Sequence, residues 1–215
     1  MSLRIIGGEF RRRILQIPHG NTTRPYTDRI RQIVFDRIAP LVPDARVADI
    51  FSGVGTMGME SLSRGAKSCV FIEGDPAIHM SLTDNVAAIA PDKPTVCWKT
   101  NIHRTSFCPK GADECFPYTL LFFDPPYDQC PLLAPGEVLG KALVRLAKPR
   151  TTSDDATMIL RTPEHFEFSG SEPWKIDDCW RKSTMNLWIL KKLPVVDESS
   201  APDESAVVPS HDDVE

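Results

Sequence analysis

Apolar and polar positions along the chain follow two alternating periods, which predict strands and helices in turn. Apolar runs typical of buried strands lie at residues 46–51, 68–73, 95–99, 118–123 and 157–161. Helical periodicity lies between several of them, at residues 55–63, 76–89 and 135–146. Such alternation builds a mostly parallel sheet with helices on both faces. We therefore predict an α/β fold, in which residues 100–117, which show neither period, form a loop.

Antiparallel pairs are predicted at both ends of this α/β region. Residues 3–6 and 10–17 flank Gly7-Gly8, which is the pattern of a hairpin with a glycine turn. A helix then begins after the cap residue Thr27 and ends at Pro40. Its apolar stripe consists of Ile30, Ile33, Val34 and Ile38. A second antiparallel pair is predicted at residues 174–178 and 185–191.

Length and composition predict one main domain with two additions. The chain has 215 residues, of which 41% are apolar, and this is enough for one sizeable core. We expect residues 1–40 to form an N-terminal hairpin and helix extension, residues 41–196 the main domain, and residues 197–215 a disordered acidic tail. No apolar run approaches the roughly 18 residues that a membrane helix needs. We expect a cytoplasmic monomer without membrane contact.

The cysteines and histidines do not indicate a metal site. The six cysteines include no Cys-x-x-Cys pair, and no two of the five histidines are three or four residues apart. Metal-binding motifs place their ligands at such short spacings. We expect reduced, unligated thiols and no bound metal.

Charge is divided unevenly along the chain. The formal net charge is −4, but residues 197–215 contain seven acids and no lysine or arginine, so residues 1–196 carry +3. The tail is either a passive solubilising end or a polyanion mimic. Residues 1–37 hold eight arginines and no lysine, and arginine both grips phosphate and stacks on bases. This bias favours a nucleic-acid-binding surface over an ordinary solvated one, with the candidates Arg11, Arg12, Arg13, Arg24, Arg29 and Arg31.

The most informative segment follows the predicted strand at residues 118–123, and it reads Asp124, Pro125, Pro126, Tyr127. A carboxylate and a carbonyl at the end of a buried strand can accept both N–H bonds of a nucleobase amine. That amine is a poor nucleophile, because its lone pair is delocalised into the ring, and the two acceptors draw it toward tetrahedral geometry. The prolines restrict the backbone and the tyrosine ring would stack on the base. The motif predicts chemistry on a base amine, and a simple proline-rich turn is the alternative.

A glycine-rich motif opens the first helix of the α/β region. Gly53, Gly55 and Gly58 form G-x-G-x-x-G directly after a strand, and Glu73 ends the next strand. Glycines let a cofactor approach the backbone, and the later acid can accept hydrogen bonds from ribose hydroxyls. The pattern alone is also typical of nicotinamide and flavin sites, or of a purely structural turn.

Two further features favour S-adenosylmethionine as the ligand. Asp49 lies inside the strand before the glycines, where a carboxylate attracts an ammonium group but repels a pyrophosphate. The Asp-Pro-Pro-Tyr motif follows a later strand, and ligands of open α/β sheets bind beyond the carboxyl ends of the strands. A methyl donor and a nucleobase would therefore meet at one edge of the sheet.

With these motifs, the chain resembles the class I methyltransferases and, within them, the bacterial 16S rRNA guanine-N2 methyltransferase family. The matching segments are residues 4–10, 23–31, 49–55, 62–66 and 124–127. The resemblance implies a Rossmann-like, seven-stranded, mostly parallel sheet with an N-terminal β-hairpin extension. It also implies S-adenosylmethionine as donor and methyl transfer to the exocyclic N2 of a guanine in small-subunit rRNA, either free or in an assembling subunit.

The resemblance also implies roles for individual residues. Six residues would form the donor site, with Glu73 on the ribose and Asn101, where the family often has an acid, on the adenine amine. They are Asp49, Phe51, Gly53, Gly55, Glu73 and Asn101. Asp124 and the Pro125 carbonyl would hold the guanine amine, and Tyr127 would stack on the base. The arginine-rich stretch at residues 24–31 would cover the site and contact RNA.

Two other functions stay open. N6-adenine methylation of a nucleic acid uses a closely similar four-residue motif, although we expect no separate DNA-reading domain. A non-catalytic rRNA-binding assembly factor with a vestigial donor site would use the same arginine-rich segment. The intact set of donor and base residues argues against this second alternative.

Overall fold

The computed structural model describes residues 3–18, 26–182 and 184–193, and within them the chain forms nine strands and four α-helices. The strands are β1 (Leu3–Arg4), β2 (Ile14–Leu15), β3 (Arg46–Ile50), β4 (Ser68–Glu73), β5 (Thr95–Lys99), β6 (Tyr118–Phe123), β7 (Thr152–Pro163), β8 (Trp174–Lys182) and β9 (Met185–Lys192). The helices are α1 (Asp28–Arg37), α2 (Thr56–Ser63), α3 (Pro76–Ile89) and α4 (Val138–Leu146).

Seven of the strands form one sheet in the spatial order β5-β4-β3-β6-β7-β9-β8. The neighbours from β5 to β7 are parallel, whereas β9 pairs antiparallel with both β7 and β8. The order reverses between β3 and β6, and such switch points are where open α/β sheets bind ligands. The predicted α/β fold with a mostly parallel, Rossmann-like sheet is confirmed.

The sheet is covered on both faces, with one hydrophobic core on each side. The hairpin of β1 and β2 packs with α1, α2 and α3 on one face, and α4 packs with residues 102–116 on the other. Alternate residues of β6 enter the two cores in turn, as the period of a strand requires. Leu120 and Phe122 belong to the first core, and Leu121 and Phe123 to the second.

The predicted N-terminal hairpin forms, but β1 and β2 pair over only two residues each. The segment between them is held by α2, where the Glu60 carboxylate accepts hydrogen bonds from the N–H groups of Ile6 and Gly7, both at 2.9 Å. Gly8 has a φ of +74°, and a Cβ there would lie 1.8 Å from the Ser63 carbonyl oxygen. Only glycine therefore allows this close approach. Gly7-Gly8 thus forms the contact of the hairpin with α2 as well as part of its turn.

Helix α1 begins as predicted, and Val34 and Ile38 of its predicted apolar stripe are buried, whereas Ile30 and Ile33 are only partly buried. The Thr27 hydroxyl caps the helix by accepting a hydrogen bond from Ile30 N at 3.3 Å. The buried residues of the helix are Arg31, Val34 and Phe35, whereas Ile30 is only half-buried. The buried face of the helix is therefore shifted by about one residue from the predicted apolar stripe.

Other element boundaries also differ from the sequence pattern, including that of β8, which continues to Lys182 instead of ending at residue 178. Helix α4 begins at Val138 instead of residue 135, because Gly136 adopts a φ of +88°, which is incompatible with a helix. Strand β7 is longer than predicted, since its polar first residues pair with β6 across a register shift. No helix within the described parts of the chain has the length and apolarity needed to span a bilayer. The predicted acidic tail lies outside the described residues.

Candidate active site

Four charged side chains at the carboxyl ends of neighbouring strands line one cavity of about 730 Å³. They are Asp49 on β3, Glu73 at the end of β4, Asp124 directly after β6, and Arg161 near the end of β7. Parallel strands end at the same edge of a sheet, so the fold brings together residues that are far apart in the sequence. Among the described residues, no group of three His, Cys, Asp or Glu side chains could hold a metal ion.

The glycine turn after β3 forms one wall of this cavity. The Asp49 carboxylate accepts a hydrogen bond from Gly58 N at 2.8 Å, across the first turn of α2. Gly53 lines the cavity with a φ of +56° and has no heavy atom near its missing Cβ. Gly55 instead packs inward, since a Cβ there would lie 2.7 Å from Leu82. Gly53 therefore faces the cavity, whereas glycine is favoured at position 55 because a larger residue would crowd Leu82.

Glu73 connects the ends of β3 and β4. One carboxylate oxygen accepts from Gly53 N at 2.9 Å, and the other accepts from Gly74 N at 2.8 Å and Asp75 N at 2.9 Å. A carboxylate offers about four acceptor positions. Three backbone bonds fix its orientation and leave one position for a ligand.

Asn101 and Phe51 border a second cavity of about 320 Å³, which shares Glu73 with the first. Phe51 lines both cavities, adopts a φ of +60° and contacts the edge of Phe123 at 5.5 Å between ring centroids. The Asn101 side-chain oxygen accepts from His103 N at 2.9 Å. Because an amide oxygen has two lone pairs, this bond orients Asn101 and still allows a second donor.

The Asp-Pro-Pro-Tyr segment lies along the cavity as the sequence predicts. Asp124 N donates to the Ile50 carbonyl at 3.2 Å, which ties the motif to the end of β3. Pro125 is buried, and the Pro126 carbonyl accepts from a later N–H in the same turn. Tyr127 begins a short 3-10 helix, and all four motif residues border the cavity.

Sequence reasoning missed two residues of this site, Arg161 and Tyr26. Arg161 Nε donates to Asp124 Oδ1, and its guanidinium carbon lies 4.4 Å from the Tyr26 ring centroid. Both side chains border the cavity. A charged residue that ends an apolar strand beside the motif was the available signal for Arg161. Tyr26 lies within residues 24–31, the stretch that the family resemblance places over the site, but no sequence pattern indicated that it contacts Arg161.

Burial changes the protonation of both central acids. It raises the pKa of Asp49 to about 8; the Gly58 N–H opposes this shift, and the charges of Asp124 and Glu73 add to it. Burial also raises the pKa of Asp124 above its ordinary value, and Arg161 opposes that shift. A cationic ligand would favour the ionised form of these acids. The cavity is thus electrostatically suited to a positive charge.

The structure divides the arginines that the sequence grouped as one RNA-binding surface. Arg31 is fully buried, and its Nη2 donates to the Arg4 carbonyl at 2.6 Å and to Asp28 Oδ1 at 2.7 Å. Helical periodicity places it on the core side of α1, so it cannot contact RNA from the surface, and the prediction is corrected for this residue. Arg29 is exposed on the same helix, and Arg24 lies outside the described residues.

Arg11, Arg12 and Arg13 are exposed, and none of the three is among the residues that line the cavity. Arg13 donates to the Ala88 carbonyl at 2.6 Å, near the end of α3, whereas Ile78 in the first turn of α3 lines the cavity. Ten residues of α-helix rise about 15 Å. The Ala88 end of α3, which Arg13 contacts, thus lies about 15 Å from Ile78, whereas Leu3 and Ile17 of the N-terminal segment line the cavity themselves.

Comparison with known proteins gives one matching family and relatives that extend over part or most of the chain. The model of the family described as conserved hypothetical protein 95 matches residues 3–181. Ribosomal RNA small subunit methyltransferase D of Escherichia coli strain K12 is 38% identical over 125 residues, which are 58% of this chain and 60% of that protein. The aligned part is thus less than two thirds of that relative's length.

Solved structures share the architecture over most of the chain. The Escherichia coli protein yhhF superimposes with a TM-score of 0.73 at 27% identity, covering 90% of this chain and 99% of that one. An RNA methyltransferase from Salinibacter ruber, in complex with S-adenosyl-L-homocysteine, gives a TM-score of 0.57 at 13% identity, covering 81% and 97%. The second likeness shows a common fold alone. Because the family match spans residues 3–181, the chain belongs to the family of conserved hypothetical protein 95.

Proposed function

We propose that this protein is a methyltransferase that transfers a methyl group from S-adenosylmethionine to the exocyclic N2 of a guanine in 16S rRNA, free or within an assembling small ribosomal subunit. The observation that carries the proposal is that Asp124 and Pro125 border the same cavity as Gly53 and Glu73. A base-holding motif and a donor-holding turn thus face one space. The name of the Escherichia coli relative supports ribosomal RNA as the substrate class.

The residues of the cavity fit the donor. Asp49, Ser52 and Gly53 would hold its methionine part, and Ser52 Oγ is buried without a hydrogen-bond partner among the described residues. An unpaired buried hydroxyl is costly, and a ligand can remove that cost. The remaining acceptor position of Glu73 would take a ribose hydroxyl, and Asn101 the adenine amine. Bound adenosylmethionine supplies an electrophilic methyl group on a positively charged sulfur.

The motif residues would prepare the guanine amine for reaction. Asp124 and the Pro125 carbonyl accept its two N–H bonds, which directs the nitrogen lone pair toward the methyl group. Asp124 is also the acceptor for the proton that the nitrogen releases as its new bond to carbon forms. Tyr127 would stack on the base. The protein contributes positioning and an electronegative, sheltered cavity, and these are effective sources of rate acceleration.

The test is methyl transfer to small-subunit rRNA from cells that lack this protein, followed by mass spectrometric mapping of the product. Wild-type protein should produce N2-methylguanine at a defined nucleotide. Asp124→Asn should lower turnover by about 10²-fold or more, because the amine loses a charged acceptor, while donor affinity measured by calorimetry is retained. Asp128→Asn is the matched control, since Asp128 is exposed and lies outside the cavity lining.

Three outcomes would contradict parts of the proposal. A methyl group mapped to an adenine N6 would support methyl transfer but contradict guanine as the modified base. Donor binding without any transfer, to free rRNA or to assembling subunits, would indicate an assembly factor. Wild-type turnover in Asp124→Asn would remove the assigned role of this acid.

A further inference from the structure

Arg161 holds the acid of the Asp-Pro-Pro-Tyr segment from the neighbouring strand. Phe123 on β6 pairs with Leu160 on β7, so the next residues along each strand, Asp124 and Arg161, are neighbours across the sheet. Arg161 Nε donates to Asp124 Oδ1, and the two side chains are only 10% and 15% exposed. An ion pair sheltered in this way is screened by solvent much less than a surface pair.

Two tyrosine rings enclose the guanidinium. Its central carbon lies 4.4 Å from the ring centroid of Tyr26 and 5.5 Å from that of Tyr127. A cation is attracted to an aromatic face at such distances. Tyr26 is buried and belongs to the segment before α1, so residues from two distant parts of the chain contact Arg161 at the cavity wall.

We propose that Arg161 is a positioning residue for methyl transfer, which orients the Asp124 carboxylate toward the guanine amine and keeps it ionised inside the cavity. The inference rests on the proposed function and deepens it, and none of the motif segments that carry the family resemblance includes residue 161. Arg161 acts through Asp124. The bond to Oδ1 stops the carboxylate from rotating, and Oδ2 then accepts from the amine.

The carboxylate needs this cation because its surroundings disfavour a negative charge. Burial raises the pKa of Asp124, whereas the charge of Arg161 and its hydrogen bond lower it. The titratable side chains that face Asp124 or Arg161 come from several segments: Tyr26, Asp49, Tyr127 and Cys130. None of these four carries a positive charge, so among the facing groups in the described parts of the chain it is Arg161 that favours the ionised acid.

Replacement by an uncharged side chain of similar length tests this role. In Arg161→Met, kcat should fall by about 10²-fold, since the acid is no longer held in register. The dissociation constant of adenosylmethionine should change by less than about twofold, because Arg161 does not bind the donor. The acid limb of the kcat–pH profile should move to higher pH. Without Arg161, the pKa of Asp124 rises further, and more of the acid is protonated at any given pH.

Two further variants separate positioning from structural support. Arg161→Lys keeps the charge but loses the planar fork, so the acid limb should stay near its wild-type position while kcat falls by about tenfold. Arg46→Met is the matched control for loss of a partly buried arginine. Arg46 Nε donates to the Pro117 carbonyl at 2.6 Å, at the start of β3 and the opposite edge of the sheet. Its pH profile should match the wild type.

A second measurement needs no substrate. Carboxyl-carbon NMR titration, with Asp124→Asn to assign the signal, should show a higher pKa of Asp124 in Arg161→Met and little change in Arg161→Lys. If Arg161→Met does not fold, an upward shift in Arg161→Lys would overturn the inference. A wild-type titration in Arg161→Met would do the same, as would equal losses of kcat in both variants with no movement of the acid limb.

The two proposals fail in different ways. Wild-type protein that transfers no methyl group to RNA would contradict the proposed function, and the NMR titration would still decide whether Arg161 controls Asp124. Wild-type transfer together with an unchanged Arg161→Met enzyme would contradict only the role of Arg161.

Discussion

Asp49, Glu73 and Asp124 place three carboxylates around one cavity, and each is held by a different kind of partner. Asp49 accepts from a helix N–H, Glu73 from three loop N–H groups, and Asp124 from the guanidinium of Arg161. Backbone partners cannot move without moving the turn, so the side of the cavity that we propose binds the donor is preorganised. The base side depends on one side chain, and it is therefore more sensitive to substitution.

Asp49 should make the stability of the protein depend on pH. Its pKa in the folded protein is about 8, above the ordinary value of 3.8. Between these values the folded protein binds more protons than the unfolded chain, so stability falls as pH rises through this range. Asp49→Asn, which does not titrate, should show a smaller fall of the melting temperature between pH 5 and pH 8.5, measured by calorimetry.

The same pair of proteins provides the control for this prediction. Saturating adenosylmethionine should reduce the pH dependence of the wild type, because a cation beside Asp49 favours its ionised form. It should have little effect on the pH dependence of Asp49→Asn. If the melting temperatures of the two proteins without ligand change with pH by the same amount, the pKa of Asp49 is not raised.

At the scale of elements, the hairpin of β1 and β2 depends on one buried acid of α2. Glu60 is completely buried and binds Ile6 N, Gly7 N and Arg64 Nε, the last at 2.8 Å. The hairpin in turn contributes Leu3 to the cavity lining. The N-terminal segment is therefore part of the site's wall and is attached through side-chain to backbone hydrogen bonds.

Glu60→Ala should destabilise the protein by about 3 kcal/mol, because it leaves two N–H groups and a guanidinium without their acceptor. For a protein of this length, that corresponds to a melting temperature lower by about 6–12 °C. Glu137→Ala should change stability by less than about 0.5 kcal/mol, since Glu137 is exposed and its side chain makes no cap hydrogen bond. Equal melting temperatures for the two variants would contradict the view that Glu60 holds the hairpin on α2.

The helices and strands themselves were largely predictable, because their signals are local. The predicted bounds of β4, α3, β5 and β6 agree with the structure. The burial of Arg31 on α1 was not predicted, because an arginine is expected at the surface unless buried partners are known. Its partners are Arg4 and Asp28. Arg31 shares the buried helical face of Val34 and Phe35, but the distant carbonyl that accepts from its guanidinium cannot be read from helical periodicity.

At the scale of the whole molecule, charge is separated along the sequence while the cavity stays negative. Residues 1–196 carry +3 and residues 197–215 carry seven acids. Arg13, beside the Ala88 carbonyl at the end of α3, and Arg29 on α1 are exposed and are not among the residues that line the cavity. A polyanionic substrate would be attracted by the surface, and only its extruded base would enter the cavity.

Removal of residues 197–215 changes the formal net charge from −4 to +3. We expect the truncated protein to bind rRNA more tightly than the full chain at low salt, because long-range repulsion is reduced. The difference should disappear at about 1 M salt, where charges are screened within about 3 Å. Filter binding over a salt series measures this, and equal affinities at low salt would show that the tail is passive.

The sequence by itself determined the order of strands and helices, the glycine turn, and the placement of Asp49, Glu73 and Asp124 at one sheet edge. These follow from local periodicity and from the rule that parallel strands end together. Tertiary structure alone decided the pairing of Asp124 with Arg161, the inward position of Gly55 and the burial of Arg31. Each of these depends on the register and packing of segments that are distant in the chain. Local sequence patterns do not encode such long-range contacts.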